Sequence, residues 1–312
     1  MNRTDGGRPK RHLRCETMST PGAAPGGRMT RETPGGVSGP SRASRSRRPS
    51  RRRIPPRASA SRGERLAARF GDVRIAVISD IHSNLVALDA VLAKIGSIDA
   101  IWHLGDVVGY GPEPDAVVDR LAELGAIGVR GNHDAAACGG AEVEWFNPEA
   151  RAAIEWTQAT ISEATRAKLA ALPQRRMEHD FTLVHGSPRD PMWEYVTTAA
   201  LARAGLSAIS TGHGLHGHTH VPIAYTMVDG RMRTLVPRPG NTIALGEGRT
   251  LLNPGSVGQP RDHDPRASYL ILDLEAGTAT WGRTAYDFEA VGTMMRAAGL
   301  PARLADRLRT GV

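Results

Sequence analysis

The chain has 312 residues, of which 40% are hydrophobic and 4% aromatic, and its formal net charge is +8. This length can form one large domain or two. No apolar run reaches the roughly 18 residues of a membrane span, and Cys15 and Cys138 form neither a disulfide framework nor a closely spaced metal pair. We therefore expect a soluble, cytoplasmic protein with no membrane partner.

The positive charge is concentrated at the N-terminus. Residues 1–70 carry 18 Lys and Arg against 4 Asp and Glu, a net charge of +14, whereas residues 71–312 carry 22 against 28, a net charge of −6. The first segment is rich in Arg, Pro, Gly and Ser and cannot bury enough surface to offset chain entropy, so we expect a disordered tail. It lacks the apolar core of a secretory signal. The favoured interpretation is an inert extension or an over-long gene start, and the alternative is a basic arm that binds nucleic acid or anionic lipid.

From Val73 onward, apolar runs of strand length alternate with stretches of helical periodicity. The first elements are predicted strands at 73–79, 99–105 and 126–131, with helices at 85–95 and 114–125 between them. This order predicts a parallel sheet with right-handed crossovers. The later predictions are a helical stretch over 147–172, strands at 181–186 and 250–258, a hairpin over 266–287 and a terminal helical cap over 289–308. Residues 71–312 are therefore predicted to form one domain.

Residue types that bind metals follow the predicted strands directly. They are Asp80 and His82 in SDIHSN, Asp106 in GDVVGYG, Asn132, His133 and Asp134 in RGNHD, His185 in VHGSP, and His218 and His220 in GHTH. Ligands gather at the carboxyl ends of parallel strands, and this mixture of oxygen and nitrogen donors suits Mn, Fe, Zn, Co or Ni. Seven of these nine, all except His133 and Asp134, are candidate ligands, and seven are too many for one ion. Two ions about 3.5–4 Å apart that share one carboxylate would use all of them.

The histidines at 216, 218 and 220 leave three interpretations open. On an extended strand all three would share a face and could bind one metal. Alternatively, only some of them are ligands, or the stretch is a polar loop.

Taken in order, these motifs resemble those of the calcineurin-like metallophosphoesterase superfamily, particularly its small bacterial phosphodiesterase-like branch. The resemblance covers roughly residues 73–287. It implies an α/β fold, a four-layered α/β sandwich with two packed mixed sheets. It also implies two divalent metal ions, with manganese favoured and Fe, Zn, Co or Ni as the other candidates.

The same resemblance assigns roles to individual residues. It places Asp80, His82 and His220 on one metal, Asn132, His185 and His218 on the other, and Asp106 on both. His133 matches the histidine that is not a ligand and lies over the leaving group. His213 and His216 match no ligand position.

The implied activity is hydrolysis of phosphoester bonds, with a phosphodiesterase favoured. A hydroxide that bridges the metals would attack in line, and His133 would act as general acid. The alternatives are a phosphomonoesterase or serine/threonine protein phosphatase, and a non-catalytic metal-binding scaffold of the same fold. The candidate substrate contacts are Arg130, Trp193, Tyr195, Arg261 and Arg266, for which ordinary packing or solvent exposure is the rival interpretation.

Two positions depart from the family pattern. Ser83 stands where members often have Gly, which crowds the turn. The larger protein phosphatases carry an Asp that pairs with the catalytic histidine, and GDVVGYG contains no obvious counterpart. Asp134 is adjacent to His133, but neighbouring side chains usually point apart. The sequence therefore leaves open what orients His133.

Overall fold

A computed structural model describes residues 73–140, 143–246 and 248–312, and all structural statements refer to these residues. The predicted basic tail, residues 1–70, lies outside them. The strands are β1 (Arg74–Ile78), β2 (Ala100–His103), β3 (Ile127–Gly128), β4 (Arg175–Glu178), β5 (Phe181–Val184), β6 (His213–Leu215), β7 (Ile223–Val228), β8 (Arg231–Leu235), β9 (Thr242–Ala244), β10 (Arg249–Asn253), β11 (Ala267–Asp273) and β12 (Thr278–Thr284). The α-helices are α1 (Leu85–Ile95), α2 (Pro114–Glu123), α3 (Asn132–Ala137), α4 (Pro148–Thr160), α5 (Glu163–Ala171), α6 (Ala199–Ser207), α7 (Phe288–Ala297) and α8 (Ala302–Thr310).

The strands form two six-stranded mixed sheets. The first has the order β3-β2-β1-β11-β12-β9, in which β1, β2 and β3 are parallel and β11 joins β1 antiparallel. The second has the order β4-β5-β6-β10-β7-β8, in which β5, β6 and β10 are parallel. In the second sheet the parallel strands are central, whereas in the first they form one half of the sheet, with β3 at its edge. In both sheets the carboxyl ends of the parallel strands are positioned to carry functional side chains.

Alternation of side chains along the strands creates the layers. Ile75 and Val77 of β1 pack with Leu183 of β5 and Leu252 of β10, which joins the two sheets face to face. Ile78 belongs to a separate cluster with residues of α1 and α2, on the outer side of the first sheet. Helix α6 covers the second sheet in the same way. The predicted four-layered sandwich is therefore confirmed.

The element predictions hold for the long apolar segments and fail in detail elsewhere. The stretch 147–172 is two helices, because Ile161 leaves the helical conformation and Ser162 caps α5. Asn147 caps α4 as predicted, accepting a hydrogen bond from the Ala150 N–H. The third predicted strand shrinks to two residues, and the terminal cap is a pair of helices, α7 and α8. None of the described helices combines the length and apolarity needed to cross a bilayer.

Candidate metal centre

The residues predicted to bind metal lie directly after strands of both sheets. Asp80 and His82 follow β1, Asp106 follows β2 and Asn132 begins α3 after β3, whereas His185 follows β5, and His218 and His220 follow β6. All seven side chains are buried. The two sheets therefore contribute to one compact site, which holds every residue predicted as a ligand.

The backbone at this site adopts a conformation that non-glycine residues rarely take. Asp80, His82, Asp106, His218 and His220 all have φ between 50° and 66°. Each such residue costs on the order of 1–3 kcal/mol and persists only where surrounding contacts fix it. These strained positions coincide with the predicted ligands, which is typical of a functional site.

The NPGSVG segment supplies some of these contacts. The N–H of Val257 donates to the Ser79 carbonyl at 3.0 Å, and the N–H of Gly258 donates to the Asp80 carbonyl at 3.0 Å. The Ser256 hydroxyl also donates to the Asp80 carbonyl, at 2.8 Å. The segment is thus a structural turn that fixes the backbone of Asp80.

Two glycines allow the ligand-bearing loops to approach one another. A Cβ atom on Gly131 would overlap the Asp106 carboxylate, and one on Gly217 would overlap Ser79 and crowd Asp80. Ser83 takes the turn that the family pattern favours for Gly, with φ of 52°, and its carbonyl accepts a hydrogen bond from the Glu113 N–H.

Asp80, His82, Asp106 and His220 form the first group that could hold a metal, with ligand atoms within 4.8 Å of one another. The Nε2 atoms of His82 and His220 are 3.1 Å apart, and Oδ1 of Asp80 lies 3.3 Å from Nε2 of His220. Two atoms that each lie about 2.1 Å from one ion are about 3 Å apart when they subtend a right angle. The spacing therefore fits a shared cation.

The tautomers of these two imidazoles test that fit. Nδ1 of His82 lies 3.1 Å from the Val108 carbonyl, and Nδ1 of His220 lies 2.6 Å from the Gln259 carbonyl. A carbonyl only accepts hydrogen bonds, so each ring carries its proton on Nδ1 and directs the Nε2 lone pair at the other ring. Burial lowers the pKa of both rings well below the usual value, so neither is protonated to relieve the repulsion. A bound cation would turn these facing lone pairs into ligands.

Asp106, His185 and His218 form the second group that could hold a metal. Nε2 of His185 lies 3.3 Å from Oδ2 of Asp106, 3.0 Å from Nδ1 of His218 and 3.0 Å from Oδ1 of Asn132. Nδ1 of His185 contacts the Leu104 carbonyl at 2.8 Å, which again directs Nε2 inward. Asp106 belongs to both groups.

Charges inside the site are strongly coupled. Burial opposes protonation of His185, but the Asp106 carboxylate raises the pKa of this imidazole to about 9. Burial raises the pKa of Asp80 to about 7. Protons thus compensate the buried negative charge in the protein alone. Divalent cations can take over that compensation, since metal binding displaces protons from ligands.

His133 lies beside these groups and is held by rings rather than by a carboxylate. Its ring centroid lies 4.4 Å from Tyr110, 4.9 Å from His82 and 4.9 Å from Phe146. The backbone N–H of His133 donates to Oδ1 of Asp106 at 2.9 Å. The neighbouring carboxylate of Asp134 instead accepts from the N–H groups of Gly131 and Val108. Aromatic packing therefore orients His133, which the sequence did not reveal.

The other two histidines of interest lie outside both groups. Nδ1 of His213 lies 2.8 Å from the Thr250 hydroxyl, and Nδ1 of His216 lies 3.4 Å from the Asn253 amide. Of the three histidines at 216, 218 and 220, His220 belongs to the first group and His218 to the second, whereas His216 belongs to neither. This agrees with the alternative in which only some of the three are ligands.

The candidate substrate residues divide into two sets. Tyr195 stacks on His218 with centroids 3.8 Å apart, and the Arg261 guanidinium lies 5.7 Å over the Tyr110 ring. Arg130 and Trp193 line a cavity beside the site. Arg266 instead pairs with Asp264 at 2.7 Å and is nearly half exposed. Trp145 contacts Trp193 and was not predicted as a site residue. The two residues are far apart in the sequence, so no local motif indicates this contact.

Two packed mixed sheets with a buried cluster of Asp and His at the strand ends define an α/β protein with a candidate metal centre. Residues 73–277 match the calcineurin-like phosphoesterase superfamily domain, and the chain belongs to this family. Membership implies hydrolase activity on phosphoester substrates and binding of divalent metal, in agreement with the buried groups.

The chain is similar to a metallophosphoesterase from Sphaerobacter thermophilus, with 42% identity and a TM-score of 0.71 over 78% of this chain and 100% of that one. An uncharacterized protein of Methanocaldococcus jannaschii is 35% identical over 245 residues, which are 76% of this chain and 98% of that protein. A hypothetical protein of Pyrococcus horikoshii has the same fold, with 20% identity and a TM-score of 0.63, over 77% and 99% of the two chains.

Proposed function

We propose that the protein is a phosphodiesterase that depends on two divalent metal ions. The observation that carries this proposal is the position of Asp106, which belongs to both groups of potential ligands. A carboxylate between two such groups is the arrangement that dinuclear phosphoesterases use to hold two ions about 3.5–4 Å apart.

In this proposal each residue has a defined task. Asp80, His82 and His220 hold one ion, and Asn132, His185 and His218 hold the other, with Asp106 between them. When bound, two cations neutralise the phosphate oxygens and lower the pKa of water, which supplies the nucleophile. Mixed carboxylate, amide and imidazole donors suit manganese, with Fe, Zn, Co and Ni as the other candidates.

His133 donates the proton to the departing oxygen. It is close to His82 but is absent from both ligand groups, so its ring remains available for proton transfer. Burial lowers the pKa of His133 to about 4, which keeps the ring neutral near pH 7 in the protein alone. A phosphoester anion bound beside it raises that pKa, because an opposite charge favours the protonated ring.

Arg261 is the arginine beside the proposed metal centre. Its guanidinium is a side-chain cation whose charge acts on the buried histidines, including His82, His133 and His220. It is therefore placed to contact a non-bridging oxygen of a bound phosphoester. The preference for a diester rests on the resemblance to the phosphodiesterase-like branch of the family, and the following comparison tests it.

The test compares an aryl phosphodiester with the corresponding monoester, in the presence of added Mn²⁺. Elemental analysis of the same protein counts the ions per chain. We expect about two ions per chain and faster turnover of the diester. Faster turnover of the monoester would establish a phosphomonoesterase instead, and two bound ions without hydrolysis of either ester would establish a scaffold.

A further inference from the structure

Aromatic side chains are scarce in this protein, and several of them form ring contacts beside the metal centre. The chain has 4 Phe, 5 Trp and 5 Tyr in 312 residues. The large hydrophobic side chains that are clearly exposed include two aromatic ones in the described part of the chain, Trp145 at 62% and Tyr195 at 48%. Trp145 also lines a cavity, and an exposed ring at a cavity is a candidate contact for a ligand.

A chain of ring contacts connects Trp145 to the predicted proton donor. The centroid of His133 lies 4.9 Å from that of Phe146, which lies 5.6 Å from that of Trp193. Trp193 in turn makes an edge-to-face contact with Trp145 at 5.3 Å. The contacts of 4.9 and 5.6 Å place the Trp193 ring no more than 10.5 Å from the His133 ring, so a ligand that contacts both must span about this distance.

These tryptophans line a cavity of about 340 Å³, here called the Trp145–Trp193 cavity. Its lining includes Trp145, Trp193, Met192, Arg130, Gln174 and Asp190. The volume lies at the lower end of the range, about 300–1,000 Å³, typical of sites for small organic molecules. The cavity is thus large enough for a flat ring system but not for a folded polypeptide.

The polar side of the cavity has unused hydrogen-bonding capacity. Arg130 donates through Nη1 to the Ala170 carbonyl, but its buried Nε has no partner among the described residues. Oδ1 of Asp190 accepts hydrogen bonds from the N–H groups of Met192 and Trp193, which fixes the loop that carries Trp193. Because that Nε has almost no accessible surface, a ligand in the cavity would meet Arg130 through its other guanidinium N–H groups. These groups only donate hydrogen bonds, so a ligand with ring acceptors fits this side of the cavity better than a plain phenyl ring.

We propose that the Trp145–Trp193 cavity binds the nucleobase of a nucleoside phosphodiester whose phosphorus lies at the metal centre. The proposal rests on the function argued above and names its substrate class. The base stacks on the indole rings, and its ring nitrogens and carbonyls accept from Arg130. Stacking of a base on one aromatic ring strengthens binding roughly tenfold.

The first test compares two esters with the same leaving group, p-nitrophenyl thymidine 5′-phosphate and p-nitrophenyl methyl phosphate. We expect the parent protein to favour the nucleoside ester by about tenfold or more in kcat/KM. Trp145→Ala should lower this preference about tenfold. Trp145 is mostly exposed, so its replacement leaves the fold intact. Met177→Ala is the matched control, since Met177 is also exposed but lies on β4. Equal hydrolysis of both esters by the parent protein would overturn the proposal and leave the phosphodiesterase standing.

The second test measures binding without turnover. Equilibrium dialysis compares thymidine 5′-phosphate with methyl phosphate, on the metal-loaded parent protein and on Trp145→Ala. We expect the nucleotide to bind the parent protein about tenfold more tightly, and this advantage to disappear in the variant. Equal binding of the two phosphates by the parent protein would exclude a nucleobase site whatever the hydrolysis results. A nucleotide advantage without hydrolysis of any ester would instead exclude the proposed function alone.

Discussion

Oδ2 of Asp106 lies 3.3 Å from Nε2 of His185 and 3.7 Å from Nε2 of His82, so one carboxylate oxygen faces both potential metal groups. Its other oxygen accepts the hydrogen bond from the backbone N–H of His133. This second contact fixes the rotamer of Asp106 and leaves Oδ2 free to serve both groups.

Asp106→Asn should therefore lower metal content and activity together. The amide retains the size of the carboxylate but removes the negative charge that two cations would share. We expect fewer than two Mn²⁺ per chain by elemental analysis, and a fall in kcat on an aryl diester of about a hundredfold or more. Asp119→Asn is the control, because Asp119 is exposed and pairs with Lys168. A variant with full metal content and full activity would contradict the shared-ligand role.

His133→Asn should lower kcat according to the leaving group. For an alkyl leaving group, which needs a proton, we expect a loss of about 10²–10⁴-fold. For p-nitrophenolate, which leaves without protonation, the loss should be much smaller. Metal content should stay unchanged, because His133 belongs to neither ligand group. Equal losses with both leaving groups would assign His133 a structural role.

Gly109→Ala tests whether packing orients His133. A Cβ at position 109 would lie 2.6 Å from Nδ1 of His133, on a residue whose φ is 92°. We expect the ring to shift and kcat to fall at least tenfold, since misplacement by about 1 Å can cost a hundredfold. Gly96→Ala is a matched control, because Gly96 also has positive φ but its Cβ would meet nothing within 4 Å. Similar kinetics in both variants would show that Gly109 does not position His133.

Arg261→Ala should raise KM for the diester about tenfold, the loss expected for one charged hydrogen bond. Nη2 of Arg261 contacts Gln259 at 2.9 Å, which holds the guanidinium over Tyr110 beside the site. Arg266→Ala should leave KM unchanged, because Asp264 already neutralises that guanidinium at 2.7 Å. Steady-state kinetics with the same diester compare the two. Equal KM values would remove Arg261 from the substrate site.

His103 should make the protein less stable in mild acid. The side chain is almost fully buried in β2, and burial together with nearby Arg176 lowers the pKa of His103 to about 4. Between pH 6.5 and pH 4 the unfolded chain binds a proton at this residue that the folded protein does not, so stability falls as pH falls. Above pH 6.5 the ring is neutral in both states, and the contribution is fully present.

The loss between pH 7 and pH 5 should be about 2 kcal/mol. His103→Gln should reduce the drop in unfolding free energy over this interval by that amount. Urea denaturation with chelator at both pH values measures the difference. An identical pH dependence in parent and variant would show that His103 is not the group responsible.

The sequence predicted those parts of the fold that depend on local patterns. The apolar runs of β1, β2 and β5 and the periodicity of α1 were sufficient, because burial on both faces leaves continuous apolar sequence. Strand β8 escaped prediction because it is largely exposed at a sheet edge, and its sequence, RMRTL, shows no apolar run.

The same limit applies to the candidate site. Residues that follow strands could be found, because the chain order itself places them at one edge of the sheets. The ring contacts around His133 could not, since Tyr110 and Phe146 reach it from separate loops. The contact between Trp145 and Trp193 could not be predicted either, because the two residues are far apart in the sequence.

Both ligand groups contain side chains from the two sheets, so metal binding would affect the association of the sheets. The first group combines three side chains that follow strands of the first sheet with His220 from the second, and the second group joins Asp106 to His185 and His218. Each ion would therefore bind side chains from both sheets and link the two halves of the sandwich. Asp80 already links the two sheets, because its carboxylate accepts a hydrogen bond from the His218 N–H at 3.2 Å. Binding of cations would thus hold the two sheets together at the edge that carries the site, in addition to supplying the ions for hydrolysis.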